Sequence, residues 1–193
     1  MSVLDACRAA PVHVLANGDT SLIALRLAAT HPDRVATLTL VNGYARPTSS
    51  ADYPHGDPPS IGEVLREIRT PGARPAVDVL SWIAPSVAGD ARFRRWWDGI
   101  GRRGASPRTA ELFHQMLLAA DERDALASVS HPVLILSRLG CASYDPGHGR
   151  YLLEHLPDAR LATRACPDGP WSLGDVDWVL EQFAAFIGRR PRP

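Results

Sequence analysis

The sequence predicts an α/β fold, and three observations carry that reading. First, a short apolar run rich in β-branched residues, Pro11 to Ala16, is followed by turn residues, an amphipathic helix and a second apolar run from Val35 to Val41. A strand–helix–strand unit of this length is the building block of a parallel sheet, joined by a right-handed crossover. Second, strand character returns at His131 to Ser137, and another helix and strand follow it. Third, the stretch between these two regions, Ser60 to Ala127, has helical periodicity.

Each element has its own signals. Ser2 to Ala10 (SVLDACRAA) is a helix-like lead into the first strand, VHVLA. Asn17-Gly18-Asp19 supplies turn chemistry, and Asp19 or Thr20 is placed to cap the next helix. Leu22, Ile23, Leu25, Leu27 and Ala28 keep one side of that helix apolar, and His31-Pro32 ends it. After Val41 comes a loop rich in Pro, Ser, Gly and Asp, in which His55 reads as a solvated residue more readily than as a pocket acid or base.

The helical stretch opens with Ser60 and Glu63 at capping-box spacing and is punctuated by Pro75, Pro85, Gly104 and Pro107. Trp82, Phe93, Trp96, Trp97, Phe113, Met116 and Leu117 are spaced as core or pocket-lining residues. Arginines at 92, 94, 95, 102 and 103, with Asp90 and Asp98 beside them, read as a solvated helical face. HPVLILS is a strand with proline at its start. The final helix directs Val176, Trp178 or Val179, Leu180, Phe183 and Phe186 inward, and a short basic tail ends the chain.

Composition narrows the function classes. A chain of 193 residues is long enough for one domain with a real core. Its 21 basic and 21 acidic residues cancel, which argues against a nucleic-acid footprint or an anionic-membrane surface. All the basic residues are arginine, which suggests a GC-rich genome. Cys7, Cys141 and Cys166 lack metal or redox spacing and read as free thiols in a reducing cytoplasm. No apolar run has the length of a membrane span, and no metal or cofactor is expected. The expected location is the cytoplasm.

The segment ALRLAATHPDRVATLTLVNGYARP resembles the region after the nucleophile in α/β-hydrolase-fold proteins. It is most similar to a bacterial subgroup of hydrolase-like domains, some joined to adenylate cyclase or transcription-regulator modules. ADYPHG resembles the turn that opens a helical insertion in the same subgroup. The resemblance implies one partial α/β-hydrolase domain, a short parallel sheet flanked by helices. Its core would span 1–47 and 128–190, and its helical cap 58–127.

In that family the nucleophile sits on a Gly-x-Ser-x-Gly elbow. Counting back from Pro32-Asp33-Arg34 puts the serine's position at Gly18, within Ala16-Asn17-Gly18-Asp19-Thr20. Ser21 lies three residues on, inside the helix. The triad acid's position falls on Cys141, in the turn after HPVLILS. Anchored on Gly174-Asp175, the histidine's position falls on Gly169, and no histidine follows His155. Serine, acid and histidine are all absent from the places that triad acyl transfer needs them.

The resemblance also implies a truncated sheet, since about half of the family's sheet precedes the strand VHVLA. The edge of that strand would then be an apolar pairing template. A second copy, a partner chain, or further sequence ahead of it is expected to cover it.

Three functional readings follow. The favoured one is a pseudo-hydrolase, a non-catalytic homologue that binds a partner chain or a small apolar ligand in the old cavity. The second is an enzyme with non-triad chemistry, such as a cyclase, lyase or hydrolase, using Asp19, His55, His148 or Asp168. An Asp at a helix N-terminus is held ionised by the helix dipole, a passable base and a poor acid. The third is a decayed gene product, against which the consistent patterning from end to end argues.

Overall fold

The computed structural model of the protein describes residues 2–6, 11–57 and 78–188. The expected capping box at Ser60 and Glu63, the thiol of Cys7 and the basic tail beyond Gly188 lie outside these residues.

Helix α1 (Ser2–Ala6) precedes strand β1 (Val12–Asn17), helix α2 (Thr20–Thr30), a 3-10 turn at Pro32–Arg34 and strand β2 (Val35–Val41). The insertion that follows holds α3 (Val79–Ile83), α4 (Pro85–Ala88), α5 (Ala91–Gly104) and α6 (Pro107–Leu118). A 3-10 segment, Arg123–Ser128, leads into β3 (Val133–Leu139), α7 (Gly147–His155), β4 (Ala159–Ala165) and α8 (Val176–Gly188).

The four strands form one parallel sheet in the order β1-β2-β3-β4. Successive residues of a strand point to opposite faces, so a sheet covered on both sides needs apolar residues at every position of its inner strands. β2 and β3 meet it over most of their length, with Thr37 and Thr39 of β2 and Ser137 and Arg138 of β3 as buried polar exceptions. Leu38, Leu40, Val133 and Ile135 pack with Leu25 and Ala28 of α2 and Leu152 of α7. Val41, Leu134 and Leu136 face the other way, onto Trp178, Val179 and Phe186 of α8. Truncating one of these fully buried side chains to alanine costs about 2–5 kcal/mol.

The two outer strands differ. β1 pairs with β2 alone among the described residues and has no charged residue between Val12 and Asn17. β4 carries exposed Arg160 and Arg164, and Arg164 pairs with Asp175. Charged side chains on an edge strand blunt it against further pairing, and β1 has no such protection.

Several local expectations are corrected. Ile23 is 60% exposed and faces away from the apolar side of α2, and Leu180 of α8 is likewise exposed. Trp96, Phe113 and Met116 of α5 and α6 are also exposed, whereas Leu117 is buried. The spacing of these aromatics is helical, but α5 and α6 bury only part of their circumference. Asp19 stands at the N-cap of α2 in helical backbone geometry and makes no capping bond with its side chain. Its carboxylate instead accepts from the Tyr44 hydroxyl. The helix after Ser106 stops at Leu118, and β3 runs two residues beyond Ser137, taking in Arg138.

Candidate functional site at the carboxyl ends of the strands

In a parallel α/β sheet the loops that leave the carboxyl ends of the strands form the crevice where ligands bind. Three such loops meet here. Gly18 follows β1 directly, with its amide donating to the Val41 carbonyl at 3.0 Å. Its φ of +53° lies in the left-handed region, and a Cβ placed on it would meet nothing within 4 Å. The strand-to-helix turn is therefore tight at Gly18 and has an open face with no side chain on it. Ser21, by contrast, is buried, and its hydroxyl is spent on the backbone of Tyr44, donating to the carbonyl at 2.8 Å and accepting from the amide at 3.0 Å.

The second loop leaves β3 through Gly140, at φ +87°, and turns Cys141 inward. The Cys141 thiol lies 3.2 Å from the Ser143 hydroxyl. The third loop, after β4, brings Gly169 against both others. Asn17 and Asn42, at the ends of β1 and β2, each donate a side-chain amide to the Gly169 carbonyl at 3.3 Å. The Trp171 amide donates to the Asn17 side-chain oxygen at 3.0 Å. A Cβ on Gly169 would lie 3.5 Å from the Cys141 sulfur and 3.0 Å from the Ser143 hydroxyl oxygen. The positions expected for serine, acid and histidine thus stand on adjoining loops, and their side chains are hydrogen, a thiol and hydrogen.

Arg138 fixes the third loop, and sequence reading missed it. The apolar run HPVLILS predicts a strand that ends at Ser137, two residues short, with Arg138 in the turn. It is fully buried instead. Its guanidinium donates to the carbonyls of Asp168, Pro170 and Leu173 at 3.2, 2.8 and 3.0 Å, and to those of Trp171 and Asp175 at 3.1 and 3.3 Å. Its own amide donates to the Asn42 side-chain oxygen at 2.8 Å. A buried cation is costly unless its donors find acceptors, and five carbonyls take up the two terminal nitrogens of this fork, while Nε has no hydrogen-bond partner among the described residues. The signal available in the sequence was an arginine continuing a strand's apolar run, beside a loop of Pro and Gly with many free carbonyls.

The other candidate residues divide into two groups. Asp168 is fully buried next to Gly169, where one carboxylate oxygen accepts from the Ser86 amide at 3.1 Å. Asp19, His55 and His148 belong instead to a cluster on the α2 and α7 side, which gathers all four tyrosines of the chain. The Tyr44 hydroxyl reaches Asp19, and its ring lies 5.2 Å from that of His148. His148 Nδ1 and the Tyr53 hydroxyl are 2.6 Å apart. Burial drives the His148 imidazole down to about 4, with His55 adding to the shift and Asp145 opposing it. The ring is therefore neutral near pH 7. Burial, with Asp19 next in weight, raises the Tyr44 phenol, and burial also raises Asp57 with help from Asp19.

His55, expected as a solvated loop residue, is half-buried, with its ring packed on α7 where a Cβ at Gly147 would overlap it. Among the described residues no group of three or more His, Cys, Asp or Glu side chains is arranged to hold a metal ion, and no helix is long and apolar enough to cross a membrane.

No protein-family model matches the chain. In sequence it is 31% identical over 156 residues to the pimeloyl-[acyl-carrier protein] methyl ester esterase of Neisseria meningitidis, an alignment covering 78% of this chain and 59% of that protein. The chain thus spans less than two thirds of that relative's length. In structure it is similar to a hydrolase from Oleispira antarctica, with a TM-score of 0.81 at 18% identity, covering 97% of this chain and 69% of that one. An enol-lactonase from Burkholderia xenovorans superposes with a TM-score of 0.75 at 20% identity, over 97% of this chain and 69% of its own.

Proposed function

We propose that this chain, which has the α/β-hydrolase fold and is similar in sequence to hydrolases of that superfamily, is a pseudo-hydrolase that binds a small apolar ligand or a partner chain without acyl transfer. The observation that carries the reading is the meeting of Gly18, Cys141 and Gly169 at the strand ends. Acyl transfer needs a nucleophile, a base within hydrogen-bond reach of it and a group to orient the base. A glycine can be neither nucleophile nor base, and a thiol cannot stabilise an imidazolium as a carboxylate does. The loops around Gly18 are tied together by hydrogen bonds from Asn17 and Asn42, which suits a sequence under selection better than a drifting one.

The alternative, an enzyme with other chemistry, finds little support in its candidate groups. Asp19 is engaged by Tyr44, and His148 is held neutral and bonded to Tyr53. Asp168 is buried against Ser86, and half-buried His55 packs on Gly147. No pair of these is poised as acid and base over Gly18. The Neisseria relative's ester chemistry therefore does not carry over to this chain.

For the partner we propose the open edge of β1. Its backbone groups on that side pair with no strand among the described residues, and a further strand, from a second copy, another polypeptide or sequence ahead of this stretch, would extend the sheet there.

The nucleophile can be tested directly. Incubation with an alkyl fluorophosphonate, which traps activated serines, should leave the intact mass of the purified chain unchanged. A stoichiometric adduct mapped to Ser21, or to any other serine, would overturn the reading.

A further inference from the structure

We propose that Asp168 and Gly169 form a clasp that holds the helical insertion closed over the strand-end site, so that a ligand enters only when the clasp opens. The proposal rests on the reading of Gly169 as the lost histidine position for one purpose, to explain why a glycine stands there.

Among the described residues, three hydrogen bonds tie the stretch of the insertion between Trp82 and Ser86 to the core. The Trp82 indole donates to the Ala142 carbonyl at 3.2 Å, in the loop after β3. The Gly169 amide donates to the Ile83 carbonyl at 2.7 Å, and the Ser86 amide donates to the Asp168 carboxylate at 3.1 Å. The two loops that receive them are the ones carrying Cys141 and Gly169. Release of these bonds would lift the insertion from both.

The Asp168 contact meets a need of α4. The first amides of a helix have no partner within it, and a side-chain oxygen at the N-cap normally takes one. The N-cap of α4 is Ala84, which has none, and Pro85 at the first position has no amide hydrogen. Ser86 is therefore the first free donor, and Asp168 takes it from across the site. The Asp168 side chain is fully buried, and its other oxygen has no hydrogen-bond partner among the described residues. Its carboxylate is thus held inside for the contact with the insertion.

Gly169 makes the seat. A Cβ there would stand 3.3 Å from the Ile83 carbonyl oxygen and 3.0 Å from the Ser143 hydroxyl. Serine can rotate away, but the Ile83 carbonyl is backbone and must move with the insertion. The backbone at Gly169 is not in the left-handed region, so conformation alone does not demand glycine. A Cβ at 169 would require the Ile83 carbonyl to give by a few tenths of an ångström, so glycine lets the insertion sit at its present closeness to the loop.

Hydrogen exchange by mass spectrometry on the full chain tests the clasp. Asp168→Ala should speed exchange of the amides in residues 79–90 by roughly tenfold, the scale of one lost hydrogen bond to a charged group. Gly169→Leu should do the same, Gly169→Ala less, and Asp168→Asn, which keeps the acceptor, least. The amides of β2 and β3 should not change. Unaltered exchange at 79–90 in Gly169→Leu and Asp168→Ala, with native circular dichroism, would overturn the clasp. Should either of these variants fail to fold, Gly169→Ala decides, because its Cβ requires a shift of only a few tenths of an ångström: a measurable rise supports the clasp and no rise overturns it. Loss of the clasp would leave the non-catalytic reading standing, and ester turnover would refute that reading without touching the clasp.

Discussion

Arg138 and His148 show how single buried residues set the properties of this molecule. The Arg138 guanidinium serves five carbonyls of the loop that carries Gly169, and no water can replace it at zero exposure. Each buried carbonyl left without a donor costs about 1–3 kcal/mol. Arg138→Ala should therefore lower the unfolding free energy in urea by at least about 3 kcal/mol, and Arg138→Lys should recover only part of it because an ammonium lacks the planar fork. His148 sets a pH dependence. Its folded value of about 4 lies below the ordinary 6.5, so the unfolded chain binds the proton more readily. The stability it contributes is complete above about 6.5 and is lost as pH falls toward 4, up to about 3 kcal/mol by linkage. His148→Gln should flatten the urea-midpoint profile between pH 7 and 4.5, and an unchanged slope would contradict the burial argument. The burial of neither residue was legible in the sequence, although His148 stood among the candidates. The arginine looked like a turn residue because an isolated charge ends an apolar run, and the burial of His148 depends on Tyr53, far away in the chain.

At the scale of elements, the sheet was readable because its strands obey the period expected of buried parallel strands. β1, β2, the helix between them and β3 fall within two residues of their expected bounds. The turn glycine Gly18 was located from Pro32-Asp33-Arg34, and its left-handed φ suits the elbow assigned to it. The helical insertion was harder. Its periodicity marked helices correctly, but the faces they bury depend on neighbours that periodicity does not contain, so Trp96 and Met116 were placed inward and stand outside. The contrast between β1 and β4 leads to the prediction at this scale. The uncharged β1 edge should draw a further strand, and light scattering of the purified chain should report a mass above one protomer, or a monomer that gains order with a partner polypeptide. A well-folded monomer at high concentration would count against it.

For the molecule as a whole, the loops at the carboxyl ends of the sheet adjoin one another, and they carry Gly18, Cys141 and Gly169. Asn17, Asn42 and Arg138 bind the third loop to the other strands, and the insertion is bonded down onto it at Ile83 and Ser86. A scaffold so thoroughly hydrogen-bonded around two glycines fits a molecule that holds a shape at this place. The steady-state rate of short-chain p-nitrophenyl ester hydrolysis tests this most directly. The account predicts no turnover above buffer at micromolar protein, in the wild type and in Ser21→Ala and Asp19→Ala alike. Saturable turnover that one of those substitutions abolishes would contradict it.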